Sequence, residues 1–489
     1  MPIRPASAFA SGADSLAQRA RPRVVGLTIA KHALIFVILC APPAIWAAIE
    51  HAWAMLIALA VPSCCAMAIF AATYRIALPE DLRRIEAIVT VALILLIGAL
   101  LAVPALLTLG MPFHAAFFES MSGVTTTGHS VASGTQDWPF AAHFLRAWLQ
   151  WCGGLVMATA VLALLIPAGV PAQRLGRAGI DQGDRIASTR VQARQLLTVY
   201  LGLTVMMALP TMLIIPDWRE GLALTLSAIS TAGFAPRPDS LASYSAAGQG
   251  IVMLTCVLGS VSLLTFVLIG QKKFTEAWWL GSIRRVMTAL VSLCAAYAVI
   301  LLATGISSPA TIYAEMSNLI SGMTTAGFST GPMPAYGPAL IIFLLAMLLG
   351  GDVGSTSGGF KIARFGILLR TVIHAMRDVR LPKRAVNPLM ENGKKVDPDA
   401  LISLLALLML YSVTMILLWL QCLAHGLPAL PALFDIISTL STVGLSSGIV
   451  NADLPPDLIV TLTFAMWLGR LEFIAVLVLL APSTWLKRS

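Results

Sequence analysis

Charge is what this chain has least of. Charged side chains make up 11% of its 489 residues, against 58% hydrophobic. So little charge cannot clothe a soluble domain of this length. Cysteine is sparse too. Cys40, Cys64, Cys65, Cys152, Cys256, Cys294 and Cys422 lie at irregular spacing inside apolar segments. That excludes a disulfide or zinc framework and leaves buried thiols acting as small hydrophobes. Catalytic signatures are missing: no H-E-x-x-H, no G-x-S-x-G, no paired histidines and no clustered intramembrane acids, so the chain is not expected to be an enzyme. No G-x-G-x-x-G occurs, which excludes a nucleotide site of that kind. The net charge of +9 would suit nucleic acid. Its placement in loops between apolar runs makes it a membrane-topology signal instead, with no nucleic-acid partner expected.

Runs of about 20 apolar residues are plentiful and read as transmembrane helices. A leading pair, Val24–Trp46 and Trp53–Ala72, is joined by Glu50-His51. Lys31 and His32 interrupt its first member near the cytoplasmic end, where long side chains can snorkel. Residues 1–23 lack a cleavable-signal layout and are expected to be a retained tail. After the pair (24–84), one unit repeats four times: span, short re-entrant helix, Ser/Thr-x-Gly stretch, span. The units occupy 85–194, 195–285, 286–396 and 397–489. Basic residues mark one side: Arg75, Arg83 and Arg84, then Arg174, Arg177, Arg185, Arg190 and Arg194, then Lys272, Lys273, Arg284 and Arg285, then Lys487 and Arg488. The other side keeps Arg219 and Arg237, with Arg146 at its edge. The positive-inside rule then predicts ten spans, both termini cytoplasmic, and an all-α membrane fold of four pseudo-symmetric repeats around one pore.

The polar signature of the units is a tetrapeptide: Thr125-Thr126-Thr127-Gly128, Ser230-Thr231-Ala232-Gly233, Thr324-Thr325-Ala326-Gly327 and Ser441-Thr442-Val443-Gly444. The copies recur at roughly hundred-residue intervals. Irregular backbone at membrane depth survives only when buried in protein or facing a watery path, so the four copies are expected to converge on one axis. Each short helix would aim its negative C-terminal end inward. The chain would return as an extended stretch whose carbonyls and threonine hydroxyls replace a cation's hydration shell. No carboxylate occurs in the tetrapeptides, which argues against a divalent cation.

Two further features lie below this ring. In unit three the apolar character runs from Ala339 to about His374, about 50 Å if helical, longer than a bilayer core. Inside it stand Gly350, Gly351, Asp352, Gly354, Ser355, Thr356, Gly358, Gly359 and Lys361. Five glycines will not hold a regular helix. One reading is a small-residue packing surface; the other is a broken helix whose loop gates the pore. In the last span, Arg470 either projects below the filter as a positive barrier or pairs with Glu119 or Asp435 on a pore helix. Glu472, two residues on, faces elsewhere and is expected to be structural. Trp148, Gln150, Trp151, Gly153 and Gly154 read as interface anchoring and close packing. His129 is expected at the solvent-facing vestibule, where it tunes entry with pH or does nothing.

This layout resembles the Trk/Ktr/HKT potassium transporter superfamily, most of all its bacterial TrkH-type branch, from about Val24 onward. The resemblance implies potassium uptake at the cell inner membrane, with Gly128, Gly233, Gly327 and Gly444 as filter glycines. Glycine in all four loops goes with potassium, serine in the first with sodium. It also implies that the glycine run is a gating loop, that Lys361 is its matching lysine, and that Arg470 faces the pore. Partners implied are a second copy of the chain and a cytoplasmic ring of nucleotide-binding regulatory subunits; the basic loop His374–Lys395 is charged enough to dock a partner, or is a solvated or lipid-facing loop. No cofactor is expected, and potassium is the substrate. Alternatives are a sodium-permeable or cation-coupled symporter of the same architecture, or a secondary transporter with a midplane site. The last would show inverted repeats, whereas these are parallel and no second paired break is seen.

Overall fold

The computed structural model describes residues 19–77, 82–165, 185–279, 282–306, 308–333, 337–382, 387–391 and 394–485, without side chains for 158–165 and 185–190. Arg174, Arg177, Lys487 and Arg488 of the charge pattern lie outside them. The leading pair comprises α1 (Pro22–Lys31), α2 (Leu34–Ile49) and α3 (Trp53–Thr73). The break between α1 and α2 falls at His32, and the two pieces meet at 41°. Unit one has α4 (Arg84–Leu107), the short α5 (Phe113–Val124) and α6 (Phe140–Leu165). Unit two has α7 (Arg185–Ile214), the short α8 (Trp218–Ile229), α9 (Ala246–Ser260) and α10 (Leu263–Gly270), followed by α11 (Phe274–Trp279). Unit three has α12 (Ile283–Ala303), the short α13 (Pro309–Thr324), α14 (Pro338–Leu349) and α15 (Ile362–Asp378). Unit four has α16 (Pro398–Ala424), the short α17 (Ala429–Leu440), α18 (Pro456–Arg470), α19 (Ile474–Leu480) and α20 (Pro482–Trp485). A two-residue antiparallel ribbon, Met390 opposite Lys395, sits in the basic loop of this otherwise helical chain.

Among the described residues, α3, α4, α7, α12 and α16 are each long and apolar enough to cross a membrane; counting bent pairs as single spans gives eight. The expected ten included α6, whose side chains are described only in part, and α14, which ends after 12 residues. The packing is cyclic. Each short helix lies against the first span of its own unit and against the second span of the unit before it: α8 on α6, α13 on α9, α17 on α14, and α5 on α18. The leading pair packs on unit one, where Arg21 forms a 2.6 Å ion pair with the buried Glu86 at the start of α4.

Three second spans are broken, not one. The expected break follows α14. The segments expected as continuous helices around Ile251–Ile269 and Leu458–Ala481 are also bent, by 89° and 117°. At the first, the backbone leaves the helix at Val261-Ser262, and the freed Leu263 N–H donates to the Gly354 carbonyl at 3.0 Å. At the second, Glu472 and Phe473 adopt left-handed φ of 54° and 63°. Two charges flank this break: Arg470 turns inward to the Thr356 carbonyl, while Glu472 forms a 2.7 Å ion pair with Arg364 of α15. A straight helix would hold both near one depth.

Candidate cation site

Each short helix ends in the same device. Thr126 N–H donates to Gly123 O and Thr127 N–H to Ser122 O. The same pair of bonds recurs as Thr231 to Ala228 and Ala232 to Ser227, as Thr325 to Gly322 and Ala326 to Ser321, and as Thr442 to Thr439 and Val443 to Ser438. This is a Schellman closure, which ordinarily places glycine at its left-handed position. Here that position is threonine in all four copies, with φ of 54°, 52°, 57° and 50°. A β-branched residue there costs of order 1–3 kcal/mol, and such strain clusters at functional sites. The tetrapeptides are therefore not the extended stretches expected. Their second residue and their glycine both carry positive φ, the glycines at 86°, 83°, 73° and 91°. The closure occupies the N–H groups of the second and third residues. Among the described residues no hydrogen bond ends on the carbonyls of Thr126, Thr231, Thr325 or Thr442. The Thr126 and Thr442 hydroxyls are likewise buried without a partner.

The four loops form a closed ring. A Cβ on Gly128 would fall on the Ala232 carbonyl, one on Gly233 on that of Ala326, one on Gly327 on that of Val443, and one on Gly444 on that of Thr127. Glycine is thus required twice at each position, by φ and by a neighbour's backbone. A second tier of close approaches lies behind the first. Gly153 abuts the Val124 carbonyl, Gly259 that of Ile229 and Gly469 that of Leu440. Gly154 abuts Ser230, the first residue of the second tetrapeptide.

Outside the ring, one side chain per loop ties down the chain after the glycine. Nine residues before the glycine stand Glu119, Asn318 and Asp435 in units one, three and four. Glu119 accepts from Ser130 Oγ at 3.0 Å and Val131 N at 3.3 Å. Asn318 Oδ1 accepts from Thr330 N at 2.9 Å. Asp435 accepts from Ser446 Oγ, Ser447 N, Ser447 Oγ and Val450 N, at 2.6–2.9 Å. In unit two this position is the apolar Leu224, and the tie comes from Gln150, read from sequence only as packing. Its Nε2 donates to Ala232 O at 2.7 Å, and its Oε1 accepts from Phe234 N at 3.2 Å. Glu119 also forms a 2.8 Å ion pair with the buried Arg146, whose guanidinium lies 4.0 Å from the Phe234 ring centroid. His129 is not solvent-facing: it is 1% exposed and neither ring nitrogen has a hydrogen-bond partner. Ser122 Oγ donates to its carbonyl at 2.6 Å.

The glycine run between α14 and α15 lies against the opposite, deeper end of the tetrapeptides. Gly358 N donates to Thr325 Oγ1 at 2.7 Å. Gly359 N donates to Ser441 O at 2.9 Å. Thr356 Oγ1 bonds the carbonyls of Ile229 and Gly259, both at 3.0 Å. The run thus touches three of the four loops. A side chain on Gly358 would strike Ser441 and Thr442. Gly350, Gly354 and Gly359 have φ of 63°, 81° and 73°, and Lys361 has 81°. Gly351 backs onto the Ser260 carbonyl, and Ser355 and Ser357 share a 2.7 Å hydrogen bond. Asp352, fully buried, is held by Arg285 of α12 at 2.7 Å. Lys361 Nζ donates to Ser357 O. Arg470 is 3% exposed and pairs with neither Glu119 nor Asp435. Its Nη2 donates to the Thr356 carbonyl at 2.8 Å, so it braces the glycine run directly beneath the ring. Ring and run are one contiguous site.

Four short helices with like turns at their ends, glycines seated on one another's carbonyls, unbonded threonine carbonyls and an interior loop against one end, in an all-helical frame of long apolar helices, are the build of a membrane transport protein. The family profile described as TrkH, cation transport protein, matches residues 88–488. The chain belongs to that family. It is 30% identical over 386 residues to the Trk system potassium uptake protein TrkH of Halomonas elongata, covering 76% of this chain and 79% of that one. It is 28% identical over 416 residues to an uncharacterized cation transporter of Methanocaldococcus jannaschii, covering 82% and 84%. In fold it is similar to the crystal structure of the potassium transporter TrkH from Vibrio parahaemolyticus, with a TM-score of 0.81 over 95% of this chain and 99% of that one, at 24% identity.

Proposed function

We propose that this chain carries potassium into the cell through the ring formed by Thr125–Gly128, Ser230–Gly233, Thr324–Gly327 and Ser441–Gly444. The observation that carries the reading is the closed circuit of four glycines, each seated on its neighbour's backbone carbonyl. Partly dehydrated potassium binds the free carbonyls at the threonine level, with threonine hydroxyls supplementing them. The four short helices aim their negative ends at the same place. No carboxylate stands in the tetrapeptides, so the site suits a monovalent ion. Names given to relatives as potassium uptake proteins support the choice of ion. Below the ring, the run Gly350–Lys361 is the gate, and Arg470 adds a positive barrier held against Thr356. The basic loops face the cytoplasm with both termini, the chain sits in the inner membrane as a homodimer, and a regulatory ring of nucleotide-binding subunits docks at the cytoplasmic face.

The test is flux in proteoliposomes with potassium or sodium on one side. Wild type is expected to favour potassium. Gly128→Ser, whose side chain meets the Ala232 carbonyl, is expected to abolish that preference. Unaltered potassium selectivity in folded Gly128→Ser protein overturns the filter assignment.

A further inference from the structure

We propose that Gln150 is a positioning residue for ion selection, setting the shape of the second filter loop from the neighbouring unit; this rests on reading the ring as a cation filter. Three loops are tied by the acid or amide nine residues before their glycine, on their own short helix. The second loop has buried Leu224 there, which offers no polar atom. Its place is taken by a fully buried glutamine on α6, the second span of unit one.

The two bonds of Gln150 straddle Gly233. One orients the peptide before it, through Ala232 O at 2.7 Å, and the other the peptide after it, through Phe234 N at 3.2 Å. Only one orientation of the amide satisfies both, the nitrogen on the carbonyl and the oxygen on the N–H. The Ala232 carbonyl is also the group on which Gly128 of the first loop rests. One helical turn earlier on α6, Arg146 joins Glu119, the tie of loop one, and stacks on Phe234 of loop two. The inner edge of α6 therefore holds two adjacent filter loops in register. An apolar side chain of equal size leaves a buried carbonyl and a buried N–H unpaired. The Gly233 peptides, bounded by a residue free to adopt either sign of φ, then turn to find other partners. The carbonyl geometry at the ring changes with them.

The experiment compares wild type, Gln150→Leu and Gln150→Glu by bi-ionic reversal potential in planar bilayers, with thermal melting of the same preparations. Gln150→Leu is expected to stay folded and lower the potassium over sodium permeability ratio by about tenfold, because the Ala232 carbonyl loses the orientation that the amide imposes on it. Gln150→Glu keeps the acceptor for Phe234, and its buried carboxyl donates to Ala232 only while protonated, so selectivity is expected to fall as rising pH ionises it; that pH dependence decides the matter if Gln150→Leu does not fold. Adding Leu224→Asn to Gln150→Leu, which supplies the tie from the loop's own helix, is expected to recover part of the ratio. A merely structural role would lower melting temperature and leave the ratio at its wild-type value; that result in either folded variant overturns the proposal. A wild-type ratio near one would instead overturn the filter reading beneath it.

Discussion

The threonines at positions 126, 231, 325 and 442 concentrate the chemistry of this protein. Each occupies a backbone conformation made for glycine, and each leaves its carbonyl without a hydrogen bond among the described residues. Glycine there would relax the strain and loosen the ring, since it loses more conformational freedom on ordering. Behind the ring, Arg146 and Glu119 form a buried pair that also carries the Phe234 contact. Removing one member leaves a buried charge without its partner, which costs about 3–5 kcal/mol. Arg146→Ala is thus expected to lower stability by about that amount, read by denaturant or thermal unfolding in detergent, and an effect under about 1 kcal/mol would mean the pair is solvated. Outside the spans, Arg237 lies 2.9 Å from Glu220 and over the Tyr244 ring at 4.1 Å. Burial and the Glu220 carboxylate push the Tyr244 hydroxyl well above its ordinary range, so it stays a hydrogen-bond donor throughout physiological pH.

Among the elements, the glycine run is the one the proposed function makes the gate. It has small side chains and three left-handed glycines, yet it is pinned at two points. Arg285 holds Asp352 on one side, and Arg470 holds Thr356 in the middle. Cutting a pin should favour the open position. Arg470→Ala and Asp352→Asn are each expected to raise basal potassium flux in proteoliposomes, with Arg470→Ala the larger because it also removes a positive charge from the proposed ion path. Equal or lower flux in folded protein would sink the gate assignment. The helix breaks at Val261-Ser262 and Leu471–Phe473 bear on the same loop: the first frees the N–H that holds Gly354, and the second aims Arg470. The run sits in a frame of interrupted second spans.

For the molecule as a whole, closure matters more than any one repeat. Unit four packs on unit one through α18 and α5, so the ring is complete within one chain. A bound ion would couple all four units, because every loop contributes backbone to its site. Ligands that bind only the folded state stabilise it, by about 2.7 kcal/mol at a hundredfold excess over the dissociation constant. Potassium is accordingly expected to raise the melting temperature of the purified protein in a saturable way, and sodium at equal ionic strength to do so less. Equal shifts with both ions would point to general screening.

Much of this was readable along the chain. Hydropathy and a signature recurring about every hundred residues are one-dimensional signals, and they led to the membrane class, the all-helical fold, the four glycines of the ring and the break after α14. Those features follow from local composition, because a bilayer and a tight backbone contact each select residue type at one position. What needed the folded chain is pairing across distance. Gln150 is 82 residues from the carbonyl it holds, and Arg470 is 114 from its own. Nothing local distinguishes that glutamine from a packing residue. The two extra helix breaks were hidden for a related reason: Val261-Ser262 and Leu471–Phe473 contain no glycine or proline, and the partners that hold the bent chain, Gly354 and Arg364, lie on other elements. The burial of His129 was likewise set by neighbouring loops. Sequence placed the four glycines and the broken helix beside them; tertiary hydrogen bonds gave the ring its shape, since a carbonyl's direction depends on what lies across from it.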